Sequence, residues 1–292
     1  MSLVELIRVA ILLSMGLLVT SLGLRSAPGD AGYLLHRPGL LLRSVLAMNV
    51  IMPIVVIWLV LTFELKPAVK VALVALSVSP VPPFLPGKQL KLTDRAGYVY
   101  GLLVASAVLA VALVPLATAI LQHFAVQREH VAPIERVPVA VVIKILTTTV
   151  LLPLALGIGL RHSGGERVQR AAPLLGRVGS VLLLVAFVPV LLSQWPAVRS
   201  LLGDGTLLVS VAIPAVGLCI GHVMGGPDPE DRTVLALATA SRHPAVALAV
   251  ASAVFPDQKL APAAVMLALL VGMLATAPYS SWRSKARTQQ LY

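Results

Sequence analysis

The sequence is poor in charge, in aromatic rings and in cysteine, and each shortage excludes something. Charged residues make up 12 % of its 292 positions, about half of the ~25 % usual in a soluble domain. So little charge cannot solvate a folded surface, and 58 % hydrophobic residues with a mean hydropathy of +0.93 point the same way. A soluble globular domain is excluded. Aromatic residues reach only 4 % and polar–apolar alternation is absent, whereas a membrane barrel needs aromatic girdles and a dyad repeat. The single cysteine, Cys219, rules out an internal disulfide and a thiolate metal site. Acidic residues are scarce as well, 12 against 23 lysines and arginines.

What the chain does have is long apolar runs. A helix needs about 20 apolar residues to cross the hydrocarbon layer, and such runs lie near 3–24, 38–63, 68–87, 96–122, 138–160, 172–193, 206–226, 233–255 and 260–281. They predict an all-α polytopic membrane protein with about nine transmembrane helices, one transmembrane domain covering 1–292. The first run lacks a basic start and a small-residue cleavage site, so it is read as a retained helix. Alternate loops divide the basic residues 12 to 6, with Arg25, Arg37, Lys88, Lys91, Arg95 and Arg283 on the richer side and Lys66, Lys70 and Arg128 on the poorer. That bias predicts a multi-pass protein of the cytoplasmic membrane with its N-terminus outside and its C-terminus, a basic tail over 282–292, in the cytoplasm. The net charge of +11 is then a sign of the lipid bilayer as partner, and nucleic acid is not expected.

Prolines suggest a repeat. Segment two is interrupted at Met52-Pro53 and segment seven, five later, at Ile213-Pro214; segment three carries Pro80, Pro82, Pro83 and Pro86, and segment eight, again five later, Arg242-His243-Pro244. An odd offset inverts one half against the other, predicting inverted repeats over about 3–122 and 138–281, the first without its opening helix. No continuous helix survives the proline cluster of segment three, so Pro80, Pro83, Pro86 and Pro244 are the expected helix breaks. Paired interruptions of this kind mark a secondary transporter's midplane site, where unwound backbone lines a cavity.

Every acidic residue falls in a loop or at a helix end, which removes the usual proton relay and the usual carboxylate ligand for sodium from the membrane centre. Arg43 and Lys144 lie close enough to span ends to snorkel. Arg242 lies deeper, beside His243 and ahead of Pro244; an arginine there costs at least ~2.5 kcal/mol unless it is satisfied. Either carbonyls freed at the break satisfy it or it faces an anionic substrate. His243 either titrates as a coupling group or hydrogen-bonds at the break. Asn49, one turn before Pro53, either meets freed carbonyls or faces a cavity, and Thr147-Thr-Thr149 is expected to bond back to its own helix. No His-Glu-x-x-His, carboxylate pair, nucleotide-binding glycine loop or cysteine cluster occurs, so neither an enzyme nor a metal site is expected.

Taken in order, Arg37-Pro-Gly39 with Val45-Leu-Ala-Met-Asn-Val-Ile-Met-Pro53, then Ser79-Pro-Val-Pro-Pro-Phe-Leu-Pro-Gly87, then Leu237-Ala-Thr-Ala-Ser-Arg-His-Pro-Ala-Val-Ala-Leu-Ala249 resemble the successive landmarks of the bile acid:sodium symporter family. The resemblance implies inverted five-helix repeats with two broken, crossing helices, nine helices in some members, and secondary transport of organic anions. It does not carry the family's sodium ligands. Where the family's first broken helix ends in serine and asparagine this chain has Leu85 and Pro86, and the hydroxyl positions of the next helix match Val99 and Leu103. In the second broken helix Ala238, Arg242 and His243 match glutamate, glutamine and asparagine, and Met48 matches a glutamine. A hard cation needs several oxygen ligands. The expectation is therefore a secondary active or facilitative transporter of small organic anions, without a cofactor and without sodium coupling, its substrate held by Arg242, His243, Asn49 and Thr239. A sodium-coupled symporter with a rearranged site, and a decayed transporter acting as a sensor or scaffold, stay open as alternatives.

Overall fold

The computed structural model describes residues 3–126, 138–255 and 257–290. It is 84 % helical, and no strand occurs among the described residues. The helices are α1 (Leu3–Arg25), α2 (Pro38–Val45), α3 (Met52–Thr62), α4 (Pro67–Ser77), α5 (Leu85–Gln89), α6 (Ala96–Val126), α7 (Val139–Leu146), α8 (Leu152–Gln169), α9 (Ala172–Ser200), α10 (Thr206–Met224), α11 (Pro229–Ala240), α12 (Pro244–Val254) and α13 (Ala261–Gln290). Among the described residues eight helical segments, counted with their internal breaks, are long and apolar enough to cross a membrane. Segment three is the exception. Its proline cluster stops α4 after 11 residues, leaves 78–84 without regular helix, and resumes it as the short α5. The loop carrying Arg128, Glu129, Glu135 and Arg136 lies outside the described residues.

Segment eight is broken too, between α11 and α12, where Ser241–His243 leave the helix. The halves pack crosswise, α4 on α12 and α5 on α11, so the two broken helices run antiparallel and meet at their breaks. Buried apolar residues of segments two, three and eight and of α6, among them Met48, Ala72, Leu103 and Leu235, form the core around that meeting point.

The expected interruptions at Pro53 and Pro214 are not breaks. α10 runs unbroken through Pro214. Between α2 and α3 the backbone widens into a π turn, Leu46–Ile51, and a second π turn, Thr147–Leu151, joins α7 to α8 just before Pro153. Proline clashes with the carbonyl four residues back; the wider turn moves that carbonyl aside and the helix continues.

α1, α8 and α9 form a second layer held by close backbone contact. A Cβ on Gly157 would stand 2.3 Å from the Thr20 carbonyl oxygen, and one on Gly23 would stand 2.5 Å from that of Leu154. Small residues give membrane helices this approach, since lipid offers no hydrophobic drive between them. The outer helix of the layer, α9, is only 11 % buried along its span, with Leu184, Val185 and Leu192 exposed, as a lipid-facing surface requires.

The loops predicted to share a side do meet. Arg95 pairs with Asp228 and lies 3.5 Å from Glu230, while Arg287 reaches Asp94 at 2.5 Å. At the other end Lys66 donates to the Ser200 carbonyl at 2.5 Å. The described part of the basic tail is helical: α13 continues to Gln290, and Arg283 donates to Thr233 Oγ1 at 2.6 Å and to the Pro229 carbonyl at 2.7 Å. Asp228 also caps α11 by accepting from the amides of Glu230 and Asp231. Burial alone would raise its pKa, but those amides and Arg95 outweigh it and hold the carboxyl below the usual carboxylate range.

Two outcomes are expected. Gly157→Ala drives a methyl group into backbone and lowers detergent-solubilised stability by about 1–3 kcal/mol, whereas Gly159→Ala, which meets nothing within 4 Å, is tolerated; thermal melts of the pair decide. Because the Asp228 pKa is depressed on folding, its stabilisation is present above the ordinary carboxylate range and is lost as pH falls through the lower folded value. The gap in melting temperature between the parent and Asp228→Asn should therefore be open at neutral pH and close in acid.

Candidate functional site

Prolines build the site by leaving carbonyls without donors. In the first π turn the Met52 amide donates to the Ala47 carbonyl, five residues back. The next donor in that pattern is position 53, a proline with no N–H, so the Met48 carbonyl has no partner within its helix. Likewise the Ser79 carbonyl would need the amide of position 83, again a proline, and the Pro80 carbonyl is stranded because the helix has ended. An unpaired buried carbonyl costs about 1–3 kcal/mol, and inside a bilayer no water relieves it.

Segment eight satisfies all three. Arg242, 8 % exposed, donates through Nη2 to the Met48 carbonyl at 2.7 Å and through Nη1 to the Ser79 carbonyl at 3.2 Å. The His243 amide donates to the Pro80 carbonyl at 2.9 Å. The negative end of the α4 dipole thus faces a guanidinium and the positive end of α12. Arg242 is thus hydrogen-bonded to freed carbonyls, and they come from segments two and three.

Arg242 also borders a cavity of about 210 Å³ lined by α3, α4, α5, α10, α11 and α13. Ser77, Ser210, Thr239, Ser241 and Thr276 add hydroxyls to an otherwise apolar wall, and none of the lining residues among those described is acidic. Lys88 is its second cation, half-buried, with Nζ donating to Thr276 Oγ1 at 3.1 Å. Counting Lys88 among loop residues missed this. The signal was its place one turn after Leu85, where α5 carries the broken helix onward.

The other expected residues divide. Thr239 lines the cavity, its hydroxyl donating to the Leu235 carbonyl at 2.7 Å. His243 is fully buried behind it, with Nε2 3.3 Å from Thr149 Oγ1 and Nδ1 without a partner among the described residues. Thr149 also donates to the Ile145 carbonyl at 2.7 Å, so the expected back-bond is made and the second π turn also touches the crossing. Asn49 is half-buried, does not line the cavity, and its side chain makes no hydrogen bond among the described residues. Pro80 supplies its carbonyl to the crossing, Pro83 lines a separate cavity, Pro86 is buried at the start of α5, and Pro244 opens α12.

Of the positions matched to sodium ligands, Leu85, Val99, Leu103, Ala238 and Met48 are buried apolar core. They present no side-chain oxygen, and the Met48 and Ser79 carbonyls beside them are occupied by Arg242. Among the described residues no group of three or more His, Cys, Asp or Glu side chains could hold a metal ion.

Comparison with known proteins adds one family. The profile described as the Sodium Bile acid symporter family matches residues 12–198, well over half of the chain, ending before the second broken helix. No curated protein matches the chain.

Arg242→Ala leaves two buried carbonyls unpaired. It is expected to destabilise the protein by about 2 kcal/mol or more, while Lys88→Ala, whose partner Thr276 keeps its own bond to the Met273 carbonyl, changes stability less. Melting curves of the two purified variants check the order.

Proposed function

The chain belongs to the sodium bile acid symporter family, a family of membrane transporters, and from that premise we propose that it carries small organic anions without sodium. One observation supports this reading above the others: Arg242 stands at the crossing of the broken helices on two backbone carbonyls and also borders, with Lys88, a cavity that none of its described lining residues makes acidic. A bound cation at such a crossing draws on several oxygen ligands. Here the guanidinium holds those oxygens and brings its own permanent charge.

The cavity then offers an anion a positive field in a medium of low dielectric, where charge attraction is far stronger than in water. Two of the five guanidinium N–H groups are committed to Met48 and Ser79. Hydroxyls from Ser210, Ser241 and Thr276 surround the remainder of the polar wall. A volume near 210 Å³ is below the ~300–1,000 Å³ typical of drug-sized ligands, which favours a small carboxylate over a sterol-sized one. With no sodium to bring in positive charge, uniport, exchange and proton-linked transport are the routes consistent with this site.

Uptake into proteoliposomes across a panel of small mono- and dicarboxylates tests the reading. Uptake should be unchanged when potassium replaces sodium, and Lys88→Gln should raise KM about tenfold, the equivalent of one charge-assisted hydrogen bond, in a variant that stays monodisperse. Sodium-stimulated uptake would overturn the proposal, and failure of every anion to enter would favour a non-transporting sensor or scaffold.

A further inference from the structure

A second and larger cavity, about 570 Å³, lies between the two layers, where α1, α9 and the segment running from the proline break through α5 converge. Phe84 borders both cavities and forms a wall between them. Three cations from three separate elements line this outer space: Arg25 at the end of α1, Lys91 after α5, and Arg177 in the first turns of α9. None of its described lining residues is acidic, and among the described residues none of the three cations forms an ion pair. The carboxylate of Asp30, on the loop after α1, is engaged by the Ala27 amide at 2.5 Å. All three residues are exposed, and gathered around one cavity they give an entering anion a locally positive field.

The donor chemistry specifies the guest. Two serines line the cavity, but Ser21 gives its hydroxyl proton to the Ala172 carbonyl at 2.9 Å and Ser180 gives its own to the Gly176 carbonyl at 2.8 Å. The donors left are guanidinium and ammonium groups. Two guanidiniums and a lysine suit a compact group rich in acceptor oxygens and carrying more than one negative charge or a strongly hydrated one, and arginine forks match phosphate oxygens in pairs. We propose that this cavity binds a phosphate group, carried either by an anionic phospholipid or by a soluble phosphate ester. The site is distinct from the Arg242 cavity and stands whether or not the transport reading holds.

Thermal melts of the purified full-length protein in detergent test it in two arms, phosphatidylglycerol against phosphatidylcholine in mixed micelles, and glycerol 3-phosphate against glycerol. A higher melting temperature with the phosphate-bearing anion is expected in at least one arm, and the responding arm names the source. The combined variant Arg25→Gln, Lys91→Gln, Arg177→Gln should weaken that response at least tenfold in concentration, and Arg177→Gln alone should weaken it measurably should the combined variant fold poorly. A Lys66→Gln, Lys70→Gln control at the opposite end should leave it intact. No preference for the anion in either arm, a response that survives the substitutions, or an equal loss in the opposite-end control would overturn the proposal.

Discussion

One guanidinium holds the centre of this protein together. Arg242 closes two hydrogen-bonding deficits that prolines create in segments two and three, and the neighbouring His243 amide closes a third. A broken helix in a membrane exposes backbone that lipid cannot satisfy, so two breaks are tolerable only where they satisfy each other. Their antiparallel crossing achieves that, because the carbonyl end of α4 meets the amide end of α12. An arginine at this depth would be costly alone and the carbonyls would be costly alone; together each removes the other's penalty.

The packing around the crossing follows from the same constraint. Two π turns let the helices carrying Pro53 and Pro153 stay continuous while leaning on the junction, one through the Met48 carbonyl and the other through Thr149. Gln89 reinforces the second crossing by donating to the Val234 carbonyl at 2.8 Å, tying α5 to α11. Away from this centre α1, α8 and α9 are joined mainly by glycine contacts, with one polar bond from the Ser21 hydroxyl to the Ala172 carbonyl. That difference separates a polar, over-determined core from a layer packed by shape, and the larger cavity opens between them.

Charge is sorted in a way that composition could only hint at. At one end Asp94, Asp228 and Glu230 meet Arg95 and Arg287. Only cations among the charged residues line the two cavities, Arg242 and Lys88 the inner one and the exposed Arg25, Lys91 and Arg177 the outer one. The electrostatic character of both cavities is therefore set less by how many basic residues exist than by the absence of carboxylates from their described linings.

Much of this was legible in the linear sequence. Apolar run lengths specify a polytopic helical membrane protein because a bilayer admits few alternatives, and clustered prolines specify the breaks at Pro80 to Pro86 and at Pro244 because no helix survives the lost donors. The depth of Arg242 marked it as a residue that must find partners. Sequence could not say which carbonyls those would be, since Met48 and Ser79 are 194 and 163 positions away and only the crossing brings them within reach. Nor could it tell a proline absorbed by a π turn, as at Pro53, from one that ends a helix, because neighbouring packing decides whether the turn widens or breaks. Lys88 read as a loop residue until α5 turned it toward the cavity. Local chemistry in the sequence determined what had to be satisfied; the tertiary structure decided by what, because hydrogen bonds between distant segments depend on how helices cross.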